Sequence, residues 1–268
     1  MSRPLGFIGT GTITQSIVTG LCRRSEPPVE IWLSPRSLAR ARDLAAAYPN
    51  VRIAASNQEV LDRSEIVMLA VRPQNARSIL EELRFRVTHL CISLIAGFSH
   101  ETLRPLLDPA SRCIRATPTP AVACGLGPIA VYPPDQEVSE LFSHIGQPIS
   151  VDDETQFNAL LSCSAEMASF FRLLQCCRTF LCTHGLLDDS ARRYVSSLFA
   201  ALGQTALQHR ELSFEQLAAD HATPGGINEQ LVRDLADAGV FAGHQLGLER
   251  VMSRLRAPQW VAAPSDGN

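Results

Sequence analysis

Leu5-Gly6-Phe7-Ile8-Gly9-Thr10-Gly11-Thr12-Ile13-Thr14 decides the fold. A short apolar run enters a glycine-punctuated turn, and an amphipathic stretch leaves it. In that context G-x-G is the start of a dinucleotide-binding fingerprint. Gly9 makes the tight turn, Gly11 lets backbone approach a pyrophosphate, and the helix beginning at Thr12 points free N–H groups at the charge. Thr10, Gly11, Thr12 and Ile13 are therefore expected around the phosphates with Gly9. Thr14 stands at the third fingerprint position, where Gly or Ala is usual.

Reading outward, β-rich runs at 5–8, 29–33, 51–53, 66–71, 90–95, 113–115 and 128–132 alternate with amphipathic stretches at 12–22, 37–47, 74–83, 100–107 and 137–145. Strands alternating with helices predict βαβ units and a mainly parallel, doubly wound sheet. After Val151 the β-branched runs stop, and apolar residues recur every three to four positions almost to Arg256. The expected architecture is α/β: a Rossmann-type sheet domain over 1–151, an all-α dimerisation and substrate domain over 152–256, and a loose tail over 257–268. The run from Phe157 to Leu181 reads as one long, largely apolar helix that needs cover from a second copy of the chain.

The second strand carries the cofactor choice. An NAD site usually offers an acid at its end, whereas here Leu33 is followed by Ser34-Pro35-Arg36-Ser37. A guanidinium and two hydroxyls suit a 2′-phosphate, so Ser34, Arg36 and Ser37 predict NADP(H).

Composition narrows the chemistry. The chain has 268 residues, 27 acids and 24 bases, and every base is Arg; there is no Lys. Schiff-base lysine, Walker lysine and lysine general acid are all excluded. A net charge of −3 gives no footprint for nucleic acid or an acidic membrane. No apolar stretch reaches the ~20 residues of a bilayer span, and the start does not read as a signal peptide, so a cytoplasmic protein with a small-molecule partner is expected. The eight Cys form no C-x-x-C pair and read as reduced core residues, with no metal site.

These residues resemble pyrroline-5-carboxylate reductase along nearly the whole chain. The Gly-Phe-Ile-Gly-x-Gly opening matches. Asn57 falls where the family has an adenosine-contacting Asn. Leu69-Ala70-Val71-Arg72-Pro73-Gln74 is similar to the L-A-V-K-P-Q turn beside the cofactor, and Ser93-Leu94-Ile95-Ala96-Gly97 to S-x-A-A-G. Arg115-Ala116-Thr117-Pro118-Thr119-Pro120 resembles R-x-M-P-N-T-P, and His221-Ala222-Thr223-Pro224-Gly225-Gly226 resembles the T-S-P-G-G segment. The resemblance implies cofactor contacts at Asn57, Ala70, Val71, Arg72, Pro73, Ala96 and Gly97. It also implies a helical domain shared between two subunits and NAD(P)H-dependent reduction of a cyclic imine to L-proline. That chemistry needs no lysine, because an imine nitrogen takes its proton from water or a hydroxyl and catalysis rests on holding nicotinamide and imine in register. The β-hydroxyacid dehydrogenases, similar in architecture, depend on a lysine that this chain lacks.

The departures gather on the substrate side. The family's G-S-G-P appears as Cys163-Ser164-Ala165-Glu166, and the residues after P-G-G are Ile227-Asn228 where a Thr normally faces the substrate. Thr223 as N-cap, Pro224 in the first turn and uncovered N–H groups at Gly225 and Gly226 read as a carboxylate site. Thr223 and Asn228 are the expected catalytic contacts; Pro118, Ser164, Glu166, Gly225 and Gly226 are expected around the substrate. Glu166 reads as an anchor for a cationic amine or a proton donor, the alternative being a solvated or salt-bridged side chain. The leading expectation is an NADPH-dependent reductase of a carboxylated cyclic imine, pyrroline-5-carboxylate by default. A reductase of a different cyclic imine and a non-catalytic NADP-binding homologue stay open.

Overall fold

The computed structural model describes residues 3–24 and 30–256, so the expected tail at 257–268 lies outside the described residues. Eight strands form one sheet: β1 (Leu5–Ile8), β2 (Ile31–Leu33), β3 (Val51–Ile53), β4 (Ile66–Leu69), β5 (Leu90–Ser93), β6 (Arg112–Pro118), β7 (Pro128–Tyr132) and β8 (Gln147–Ser150). Their order is β3-β2-β1-β4-β5-β6-β7-β8. The first six run parallel, and β7 reverses against β6. The connection to β7 is a single 3-10 turn, Pro120–Cys124, ended by left-handed Gly125. It is too short for a crossover helix, and a tight connection can only return antiparallel.

Side-chain alternation divides the core between the two faces of the sheet. Leu5, Phe7, Ile66, Met68, Leu90 and Ile92 face one cluster, with Ile17, Val18 and Leu21 from α1 (Thr12–Cys22) and Ala41 and Leu44 from α2 (Leu38–Ala47). Ile8, Val67, Leu69 and Cys91 face the other, with Val60 and Leu61 from α3 (Asn57–Arg63), Ala76 and Leu80 from α4 (Pro73–Glu81), and Leu103 from α5 (His100–Leu106). β1 and β4 are wholly buried, as strands covered by helices on both faces must be. The helix α6 (Gln136–Ser143) follows β7. Cys91 and Cys113 are register partners on β5 and β6; burial pushes the Cys113 thiol up to about 12 and the Cys91 thiol up as well. Both stay protonated core residues, whereas Cys124, Cys163 and Cys176 are exposed.

The first compact unit extends beyond 151, to Ser162, because α7 (Glu154–Cys163) is tied to the sheet. Arg115 on β6 is 2 % exposed. Its guanidinium donates to Glu154 at 2.5 Å and lies 4.4 Å from the Phe157 ring centre, while Glu154 also accepts the His100 backbone N–H at 2.7 Å. Removing the Glu154 charge would leave the buried guanidinium with only long hydrogen bonds to the Asn158 side chain, and a buried charge deprived of its counter-ion costs several kcal/mol in general.

The second unit covers Cys163–Val251. It consists of α8 (Glu166–Thr183), α9 (Asp188–Gln208), α10 (Phe214–His221), α11 (Ile227–Asp237) and most of α12 (Val240–Arg256). The single long helix expected from Phe157 to Leu181 is two helices, broken at Ser164 and Ala165. Met252, near the end of α12, returns to the first unit, where the Ser162 hydroxyl is 3.6 Å from its sulfur.

His89 gives the first unit a titration signature. The ring is 1 % exposed; Nδ1 accepts the Arg86 N–H at 3.0 Å, so Nε2 carries the proton and donates to the Leu61 carbonyl at 3.1 Å. Burial, with help from the Arg86 charge, pushes this ring below its ordinary 6.5. The unfolded chain therefore protonates first as pH falls, and the contribution of His89, whole above pH 6.5, is lost as pH drops through the lower folded value. The melting temperature should fall between pH 7 and pH 5, and less steeply in His89→Gln; equal slopes in both proteins would reject this assignment.

Candidate functional site

The parallel strands end along one sheet edge. Ile8, Leu69 and Ser93 are register partners, as are Phe7 and Leu33, and Leu33 and Ile53. Gly9–Ile13, Ser34–Ser37, Asn57, Ala70–Pro73 and Ala96–Gly97 all follow these ends. The structure thus gathers every expected cofactor residue at the carboxyl edge, on both sides of β1. There the strand order reverses, which is where open α/β sheets hold ligands. Pro118, at the end of β6, lies along the same edge.

The glycine turn is held by a knot of hydrogen bonds. Gly9 has φ 102°, and a Cβ there would lie 2.5 Å from the Ala70 carbonyl oxygen, so only glycine fits. The Gly9 N–H donates to the Ser34 hydroxyl at 2.8 Å, and the Thr10 hydroxyl donates to the Ser34 carbonyl at 2.8 Å. The Thr14 hydroxyl donates back to the Gly9 carbonyl at 2.7 Å. This accounts for a threonine at the third fingerprint position: it closes the turn from inside α1. Gly11, the N-cap of α1, is different, since a Cβ there would meet nothing within 4 Å. The space above it is open, so a pyrophosphate can approach the first N–H groups of α1.

Ser34 is fully buried and spent on this knot. It positions the turn and does not present its hydroxyl to a 2′-phosphate. Arg36 is exposed on the 3-10 turn Pro35–Ser37, with Ser37 partly exposed beside it. Arg40, which the sequence reading missed, donates to the Thr10 carbonyl at 3.3 Å. It lines a surface cleft of about 510 Å³ with Gln15, Ser37, Leu38, Ala39 and Asp43. The signal for it was the i, i+4 spacing from Arg36. Asn57 opens α3, whose N-cap Ser56 accepts the Glu59 N–H. Arg72 is the N-cap of α4 and Pro73 its first residue.

The expected substrate residues other than Pro118 lie in the second unit, and several are engaged there. The Glu166 carboxylate sits 2.7 Å from His244 Nε2 and accepts the Ser169 hydroxyl at 2.5 Å, so it has partners within this unit. Ser164 lies in the break between α7 and α8. Thr223 does not cap α11. The chain turns at Gly225, φ 72°, the Gly226 N–H donates to the Thr223 carbonyl at 2.8 Å, and the helix starts after Gly226, which is its N-cap. The expected free N–H groups are therefore occupied: that of Gly226 by Thr223, and that of Gly225 by the Glu229 carboxylate at 2.8 Å. The Asn228 amide donates to the His221 carbonyl at 2.7 Å, so this donor too is satisfied locally. Sequence reading missed Glu229 because a glutamate in the first turn is ordinary helix chemistry.

Comparison with known proteins gives this geometry a family setting. Residues 4–97 match the family model described as NADP oxidoreductase, coenzyme F420-dependent. The pyrroline-5-carboxylate reductase of Haemophilus influenzae is 25% identical over 235 residues, 83% of this chain and 85% of its own. Among solved structures, the 1-pyrroline-5-carboxylate reductase of Streptococcus pyogenes superposes with a TM-score of 0.83 at 20% identity, covering 95% of this chain and 98% of that one. The pyrroline carboxylate reductase of Plasmodium falciparum, solved with NADP bound, gives 0.82 at 16% identity, covering 96% and 98%. The chain is similar to these reductases over most of its length and has their fold.

The Ser34 knot has a measurable consequence. Ser34→Ala leaves the Thr10 hydroxyl its bond to the residue 34 carbonyl but strands the Gly9 N–H, which should lower unfolding free energy by about 1–3 kcal/mol in denaturant titration. A loss below about 0.5 kcal/mol, the range of a neutral surface change, would show that the turn stands without it.

Proposed function

We propose that this chain is an NADPH-dependent reductase of a cyclic imine. The observation that carries the reading is the cofactor edge: a glycine turn fixed by Ser34, open space over Gly11, and two guanidiniums, Arg36 and Arg40, where an NAD enzyme would present an acid. The residues fit the dinucleotide. Gly11, Thr12 and Ile13 would hold its pyrophosphate, Arg36, Ser37 and Arg40 its 2′-phosphate, Asn57 its adenosine, and the 70–73 and 96–97 turns its nicotinamide half. The bound cofactor supplies the hydride. The chain supplies orientation and dryness, and the imine nitrogen takes its proton from water or a hydroxyl, consistent with a sequence that has no lysine.

Pyrroline-5-carboxylate, the substrate named for its relatives, is the first imine to test. A second reading, a different cyclic imine, is favoured by a specific observation: at 223–229 the chain's own groups satisfy the donors that a substrate carboxylate would use. Oxidation of NADPH followed against a panel of cyclic imines tests both. Turnover of any imine supports the function, and tight NADPH binding with none turned over would leave a non-catalytic NADP-binding protein. On the cofactor side, Arg36→Ala should weaken NADPH binding at least tenfold while NADH is little changed. An unaltered ratio of the two dissociation constants would remove Arg36 from the 2′-phosphate.

The reading includes a homodimer built through the helical unit. Phe171, Phe180 and Tyr194 on α8 and α9, and Leu187 just before α9, are each more than 60 % exposed in the single chain. Large apolar faces of this kind mark an interaction surface. Light scattering should give twice the 29.2 kDa chain mass. Phe171→Glu with Phe180→Glu should return it to one chain, and a wild-type monomer would defeat the assignment.

A further inference from the structure

The turn from β5 to α5 is an exposed tip held from below. Ala96 is exposed and Gly97 turns the chain with φ 76°, while Ile95 and Phe98 on either side are buried in the core. His100, the first residue of α5, donates its backbone N–H to the Glu154 carboxylate at 2.7 Å, and its Nε2 lies 2.9 Å from the Cys113 carbonyl on β6. Glu154 is itself held by the buried Arg115 guanidinium, 2.5 Å from the same oxygen. Thus α5, β6 and α7 meet at Oε1 of Glu154, just past the tip. Helix capping does not ask for this oxygen. Ser99 already caps α5, its hydroxyl accepting the Thr102 N–H at 3.1 Å, and an N–H at the first position of a surface helix ordinarily meets water.

The strand order gives the tip its place on the cofactor. With the adenosine on the β2 side of the glycine turn, at Arg36, a dinucleotide that crosses β1 comes next to β4 and then β5. The tip after β5 therefore stands on the nicotinamide side.

We propose that Glu154 is a positioning residue: through the His100 N–H it fixes the 96–97 turn, and with it the nicotinamide half of the cofactor. This rests on the reading of the edge as an NADP(H) site. Two substitutions at one position isolate the bond. Ser99 has φ −67° and ψ 159°, a conformation that accepts a following proline, and position 100 is the first of the helix, so His100→Pro suits the backbone and removes the N–H. His100→Ala removes the side chain alone. Glu154→Gln keeps an oxygen for the N–H and removes the charge. Calorimetry with NADPH and with 2′,5′-ADP, which carries the adenosine and the 2′-phosphate but no nicotinamide, reads the two halves of the site separately. His100→Pro should bind NADPH about tenfold more weakly than His100→Ala, because a displaced turn no longer aligns its ligand. The two variants should bind 2′,5′-ADP equally. Glu154→Gln should melt at a lower temperature, since Arg115 loses its counter-ion, yet keep NADPH affinity within about threefold of wild type, because the acceptor is still there. A role in stability alone would not separate these readouts. Equal NADPH affinities in His100→Pro and His100→Ala, a loss shared by NADPH and 2′,5′-ADP, or a tenfold NADPH loss in Glu154→Gln overturns the proposal. A wild type that binds neither ligand defeats the cofactor reading itself, and the proposal falls with it.

Discussion

The position of Gly9 against the Ala70 carbonyl is the constraint on which the rest of the cofactor edge depends. With φ 102° and 2.5 Å from a would-be Cβ to that oxygen, β1 must turn there and nowhere else. The turn leaves the Gly9 N–H and carbonyl off the sheet ladder, and buried backbone groups need partners. Ser34 supplies one from the end of β2 and Thr14 the other from within α1. Strand ends on both sides of β1 are thereby locked in register, and the start of α1 is aimed along the open space above Gly11. A phosphate bound there would meet a geometry that is already in place.

Much of this was legible in the sequence because buried parallel strands leave a strong trace: short, wholly apolar runs separated by amphipathic stretches, with a glycine turn after the first. What failed to show has physical reasons. β8, Gln147–Ser150, contains Pro148 and one large apolar residue, so it lacks a strand signature; a sheet edge tolerates that composition. The break at Ser164 and Ala165 was hidden because the apolar spacing continues through it into α8, so periodicity alone ran the two helices together. The extension of the first unit to Ser162 brings together Arg115 and Glu154, 39 positions apart, and no local pattern announces such a long-range ion pair.

The site itself was legible in place and less so in role. Ser34 was found and given to the ligand, whereas its burial commits it to the turn. Glu166 was found and offered to the substrate, whereas His244, 78 positions on, holds it. In both cases residue type and spacing say what a side chain can do, and only tertiary partners say which groups it meets within the fold.

The absence of lysine bears on the cofactor edge. Arg40 lines the cleft beside the glycine turn, with Asp43 as the acid in the same lining, and Arg36 stands on the turn just before it. An ammonium is a flexible point charge, whereas a guanidinium is planar and offers rigid, forked donors that match the oxygens of a phosphate. A chain whose bases are all guanidiniums therefore has, at this edge, the donor geometry that an anionic dinucleotide would need, and needs no lysine to complete it.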